Sequence, residues 1–208
     1  MNFLREVCVD KIDDAIKASK LGADRIEFCS KLDEDGLTPK IEELLLIKKL
    51  VDIPIRVMVR PHSKSFVYNS KDIQKMKNTI DLCKENNFDG VVFGCLKSNN
   101  ELDLSLISEL ANYSKPLNVI IHKAIDLTNS PLESLKNLIG LSNIDGVLTS
   151  GGYQTAQLGI SILKQMINIC PKGFEIISAG KITNENIIFL HDKIQGQYYH
   201  GKKIVGEL

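Results

Sequence analysis

Three sets of side chains in this 208-residue sequence have the chemistry of a functional site. The first is a repeated Glu-x-Cys pattern, Glu6-Val7-Cys8 and Glu27-Phe28-Cys29. Two thiols on neighbouring strands can share a soft ion, and thiolates select copper(I) over harder metals. The second is His122 followed by Asp126. An imidazole exchanges protons near neutral pH or ligates a metal, and a nearby carboxylate orients it. The third is a set suited to anions: Arg60, the run Thr149-Ser150-Gly151-Gly152, and the run Ala179-Gly180-Lys181. Arginine offers paired N–H donors to a carboxylate or phosphate, and small residues let backbone amides approach an anion. Each set also has a structural reading. Free cysteine commonly fills a core as a small apolar residue, a strand-end histidine can be hydrogen-bonded for structure alone, and glycine serves any tight turn.

What positions these residues is a regular alternation of strands and helices. Side chains alternate along a strand, so over 23–30 Arg25, Glu27 and Cys29 face one way and Ile26 and Phe28 the other. Over 5–9, Glu6 and Cys8 likewise oppose Val7 and Val9. Strands of a parallel sheet normally read as near-continuous apolar runs, so the polar face must line something. Further strands are predicted at 53–60, 89–94, 117–122, 144–149 and 174–178, with a short last segment at 197–200. Helices are predicted between them: from an Asp10 N-cap to Gly22, then 41–50, 71–86, 104–113, 132–139, 156–169 and 184–191.

Strict alternation predicts a parallel sheet, and this many units predict an α/β fold of the TIM-like (β/α) barrel type, one domain over 1–208. The chain is shorter than the ~250 residues typical of that barrel, so its helices must be short and its last unit can be incomplete. Active sites of such barrels lie at the C-terminal ends of the strands. There fall Cys8, Cys29, Arg60, Gly94, His122, the runs at 149–152 and 178–180, and His200. Alternate strands feed different interior layers, which would set Cys8 and Cys29 at different heights. Glu6, Glu27, Arg56 and Arg60 read as an interior ion-pair network. Either it is a mutually satisfied structural layer, or Arg60, at the rim, binds an anionic group bidentately.

Lys+Arg and Asp+Glu are both 26 and the formal net charge is zero, which leaves no electrostatic footprint for nucleic acid or an anionic membrane. No run approaches the ~18 apolar residues of a membrane span. The start, with Arg5-Glu6, turns acidic too early for a signal peptide. Five cysteines without CxxC spacing argue against a disulfide framework or a structural zinc module. Reduced thiols in the cytoplasm are expected.

Several segments carry a family pattern in order: Glu6-Val7-Cys8-Val9-Asp10, Gly22-Ala23-Asp24-Arg25-Ile26-Glu27-Phe28-Cys29-Ser30, Gly36-Leu37-Thr38-Pro39, Val57-Met58-Val59-Arg60-Pro61, Asp89-Gly90-Val91-Val92-Phe93-Gly94, His122-Lys123-Ala124-Ile125-Asp126 and Leu148-Thr149-Ser150-Gly151-Gly152. Together they resemble the CutC family, copper-homeostasis proteins with a (β/α) barrel fold. The resemblance implies a cytoplasmic homo-oligomer, dimer or larger, that handles copper, with copper(I) as the ion and Cys8 and Cys29 as its ligands. The alternative reading is a barrel enzyme, without an evident organic cofactor, acting on a small anionic or phosphorylated metabolite. In that case His122, Asp126 and Glu27 are the catalytic candidates. Arg60, Thr149, Ser150, Gly151, Gly152, Gly180 and Lys181 would hold the anion.

Overall fold

The computed structural model describes residues 3–208. Parallel strands β1 (Leu4–Val9), β2 (Arg25–Phe28), β3 (Ile55–Met58), β4 (Gly90–Phe93), β5 (Asn118–Ile121), β6 (Gly146–Thr149), β7 (Glu175–Ser178) and β8 (Tyr198–His200) form a closed barrel in sequence order. Between them run α1 (Ile12–Lys20), α2 (Ile41–Leu50), α3 (Ser70–Glu85), α4 (Leu104–Ser114), α5 (Pro131–Ile139), α6 (Ile160–Ile169) and α7 (Ile187–Ile194). Single 3-10 turns, Leu32–Glu34 and Lys123–Leu127, follow β2 and β5. The expected TIM-like barrel is therefore present, and its short last strand closes it: β8 pairs with β7 and with β1, where Glu6 aligns with His200.

The outward faces of the strands, with Val7, Val9, Ile26, Phe28, Val57 and Val91, are buried against helix residues such as Ala15, Ala18, Leu44, Ile47, Met76 and Ile80. Helix starts follow local chemistry. Asn69 caps α3 by accepting the amides of Lys71 and Asp72 at 2.8 and 3.1 Å, and Ser130 caps α5 ahead of Pro131. Both satisfy first-turn donors that have no partner within the helix.

Three starts differ from the sequence expectation because tertiary bonds override propensity. Asp10 does not cap α1; its Oδ2 accepts the Leu32 amide at 3.1 Å and ties the end of β1 to the turn after β2. α6 begins at Ile160 rather than 156, with the Ala156 amide held by the Gly180 carbonyl at 2.9 Å. α7 begins at Ile187 rather than 184, with the Asn184 amide on the Lys203 carbonyl at 2.9 Å.

Inside the barrel, the floor is an ion-pair layer. Arg56 donates to Glu175 at 2.8 and 3.0 Å and to Asp89 at 2.9 Å. Arg25 donates to Glu6 at 2.5 Å and to Glu175 at 3.0 Å. Of the network expected from sequence, Glu6 and Arg56 belong to this layer. Glu27 and Arg60 make no ion pair within 4 Å among the described residues. Above the floor, Met58, Val92, Ile120, Leu148 and Ile177 form an apolar plug. On the side of β1, β2 and β8 the interior is more polar: Glu6, Glu27 and His200 are buried there, and Cys8, Glu27 and His200 line the cavity at the mouth.

Candidate functional site

A cavity of about 530 Å³ opens at the C-terminal ends of the strands, and Cys8, Glu27, Arg60, His122 and His200 all line it. It has two chemically distinct corners.

In the thiol corner, strand pairing sets Cys8 level with Glu27. Cys8 Sγ, a Glu27 carboxylate oxygen and a His200 ring nitrogen lie within 4.8 Å of one another. Cys29 stands one pleat further along, just past β2 and outside that cluster, with its thiol donating to the Val9 carbonyl at 3.5 Å. His200 Nδ1 meets Glu6 Oε1 at 2.9 Å, which leaves its other ring nitrogen available to the cavity.

Burial dominates the electrostatics here. It pushes the Glu27 carboxyl up to about 7, helped by the charge of Glu6 and opposed by His200 and the two arginines below. Glu6 is equally buried, yet Arg25, His200 and Arg56 hold it down at about 2. Burial also works against a charged His200, but Glu27, Cys8 and Glu6 around it raise its pKa well above the usual imidazole range. The hydrogen bond to Cys29, then burial, push the Cys8 thiol well above its ordinary value. Two carboxyl groups that flank one imidazole thus differ in proton affinity: Glu6 stays ionised and Glu27 titrates near neutrality.

In the donor corner, His122 caps the turn after β5, its Nδ1 accepting the Ala124 amide at 3.2 Å. A ring nitrogen that accepts carries no proton, so the proton of the neutral ring is on Nε2. That Nε2 is buried without a partner among the described residues. Burial, with the Arg60 charge beside it, lowers the His122 pKa to about 3, so the ring is neutral across the physiological range. The ring lies directly over Gly94: a Cβ there would sit 2.6 Å from Nδ1. Arg60, 5% exposed, uses Nη1 to hold the carbonyls of Glu34 and Gly36 at 2.8 and 3.1 Å. Its Nε is buried without a partner. Phe66 touches both groups, its ring 4.7 Å from the guanidinium carbon and 4.9 Å from the imidazole centroid.

The remaining candidates are placed differently from one another. Asp126 accepts from Thr149 Oγ1 at 2.5 Å, the Ser150 amide at 2.9 Å, the Gly152 amide at 2.8 Å and Lys123 Nζ at 2.6 Å. The Gly151 amide turns inward to Thr149 Oγ1. The loop after β6 therefore wraps an internal carboxylate, and among the described residues no hydrogen bond joins Asp126 to His122. Gly180 and Lys181 line a separate hollow between the β7 and β8 ends, which it shares with Lys123 and Lys202. Sequence reasoning did not assign roles to Phe66 or His200. Phe66 carried no periodic signal in its loop, whereas His200 shares the interior face of β8 with Tyr198, and that parity was readable.

An eight-stranded parallel barrel with peripheral helices and a polar cavity at the strand C-termini defines a (β/α)8 protein. Within that class, the CutC family model matches residues 3–205, and the chain belongs to the CutC family. It is 38% identical over 185 residues to the human copper homeostasis protein cutC homolog, covering 89% of this chain and 67% of that protein. The family protein CutC of Yersinia pseudotuberculosis is 38% identical over 182 residues, covering 86% of this chain and 71% of that one. The solved structure of CutC from Streptococcus agalactiae superposes with a TM-score of 0.88 at 27% identity, covering 97% of this chain and 99% of that one.

Proposed function

We propose that this protein takes part in copper homeostasis and binds copper(I) as cargo in the thiol corner, through Cys8 and Cys29 with His200 as a third ligand. The observation that carries this reading is the convergence of Cys8, Glu27 and His200 to within 4.8 Å, with the Cys29 thiol against Cys8. The donor chemistry fits the ion: two sulfurs and an imidazole suit copper(I), and a carboxylate alone would not select it. The Glu6–His200 bond is the kind of outer carboxylate that orients a ligating imidazole. Ligation needs thiolates and an imidazole that has given up its second proton, so binding releases protons. The family name of the curated relatives supports the same reading. The five free cysteines suit a reducing cytoplasm, and assembly into a homo-oligomer belongs to the same proposal, to be read by sedimentation.

Anaerobic copper(I) titration of the reduced protein against a competing chelator tests it, alongside Cys8→Ser/Cys29→Ser. We expect one tightly bound ion per chain and at least 100-fold weaker binding in the double variant. Equal binding by the two proteins would overturn the site.

A second reading is favoured by a different observation: Glu27 Oε2, Arg60 Nε and His122 Nε2, all from residues that line one cavity, are buried without partners among the described residues. Buried polar atoms are nearly always satisfied, and three orphans around a cavity suit a bound substrate. In an enzyme acting on a small anionic metabolite, Glu27 would exchange the proton, Arg60 and His122 would hold the anion, and Asp126 would brace the loop of Thr149, Ser150, Gly151 and Gly152. Gly180 and Lys181 would stand at the rim. Turnover that survives in Cys8→Ser/Cys29→Ser supports this reading; a metabolite screen with no turnover by either protein removes it.

A further inference from the structure

We infer that Arg60 and His122 form a subsite for the carboxylate of a small organic monoanion, whose apolar body lies against Phe66, Met58 and Leu148 in the same cavity and whose binding does not need copper. This rests on the second reading above and specifies its ligand.

The argument begins with donors and acceptors. His122 gives its only acceptor nitrogen to the Ala124 amide, so its other ring nitrogen is a neutral N–H, buried and unpartnered among the described residues, on a side chain that lines the cavity. That nitrogen cannot ligate a metal ion without losing its proton. Arg60 has committed Nη1 to two backbone carbonyls, and the edge formed by Nε and Nη2 remains for a ligand. The donor corner therefore asks for an acceptor, and the guanidinium edge matches the two oxygens of a planar carboxylate. Phe66 touches both groups, and the Arg60 charge acts on the His122 ring.

Charge then chooses among anions. Arg60 makes no ion pair among the described residues, His122 is neutral, and Lys123 is paired with Asp126. Among the described residues Arg60 is then the one unpaired cation at the cavity, since His200 is paired with Glu6, while the carboxyl groups of Glu27 and Asp35 line the same space. That balance suits a monoanion and opposes a phosphate dianion. The amides of Ser150 and Gly152, which a phosphate would need, are already bound by Asp126. The volume of about 530 Å³ lies within the range of small-molecule sites, and the apolar side chains leave room for a hydrophobic body.

Calorimetric titration with phenylacetate and, separately, with inorganic phosphate tests the inference on the wild type and on Cys8→Ser/Cys29→Ser. Phenylacetate is expected to bind both proteins within a factor of about three, and phosphate to bind neither. Arg60→Lys keeps the charge but loses the paired edge, and should weaken phenylacetate at least 10-fold. His122→Ala should do the same, and His122→Gln, which restores an N–H donor, should recover most of the affinity. Circular dichroism of each variant separates lost binding from lost folding. Phosphate binding in preference to phenylacetate, or undiminished phenylacetate binding by folded Arg60→Lys, would overturn the inference. If the metabolite screen finds turnover of a substrate without a carboxylate, the inference fails while the enzyme reading stands.

Discussion

His122 shows how the surroundings of a residue set its proton affinity. A histidine at a barrel strand end reads as an acid, a base or a metal ligand. In the fold it is neutral and fixed in one tautomer, because burial and the Arg60 charge oppose protonation and Ala124 occupies Nδ1. The shift has a consequence for stability. The unfolded chain takes up a proton at this site below pH ~6.5, whereas the folded chain resists doing so until about pH 3. The unfolded state binds more protons in that window, so His122 makes stability fall as the pH drops from ~6.5 toward 3 and has no effect above it. Urea midpoints measured at pH 7, 5 and 4 should fall less steeply for His122→Gln than for the wild type; parallel declines would contradict the assignment. Glu6 is the opposite case: a fully buried carboxylate kept ionised by Arg25 and His200.

At the scale of elements, the donor corner depends on where β4 ends. Gly94 is the space into which the His122 ring packs, and a methyl group there meets Nδ1 at 2.6 Å and the neighbouring ring carbon at 2.7 Å. Gly94→Ala should cost about 1–3 kcal/mol by denaturant unfolding, the usual penalty of overpacking, and should weaken phenylacetate binding by displacing the ring. A stable variant with unchanged affinity would mean that the ring has another place to go.

Much of this was legible in the sequence. The period of two put Glu6 with Cys8, Arg25 with Glu27 and Cys29, and Arg56 with Met58 and Arg60 on the interior faces, and the alternation of elements gave the barrel. Height and pairing were not legible. Arg25 and Arg56 meet Glu175 across the barrel floor, and no local pattern announces a partner so distant in sequence. The amides at 149–152 read as an anion loop, as their chemistry warrants, but which anion they hold depends on Asp126 reaching them from another element.

For the molecule as a whole, closure rests on a strand of three residues. β8 is secured from outside by Tyr199, wholly buried, whose hydroxyl accepts the Gly196 amide at 3.0 Å and meets His191 Nδ1 at 3.0 Å. Its ring packs edge-on against Phe3 at 5.3 Å. Tyr199→Ala removes the packing and the latch together and should cost about 3–5 kcal/mol, as large buried aromatic truncations do. Because β8 carries His200, the same variant should lose copper(I) affinity even where it remains folded. Full affinity in a folded Tyr199→Ala protein would show that His200 is not needed.

The donors of the thiol corner come from the first two strands and the last. During synthesis Cys8 and Cys29 are made before six of the barrel's α-helices and six of its strands, and His200 joins them only when β8 pairs with β1. A growing or unravelled polypeptide offers two loose sulfhydryls, whereas the three-sided pocket exists only once the ring has shut. Ion capture would then report that the ring has shut, and an ion held there would fasten the barrel's first two strands to its eighth.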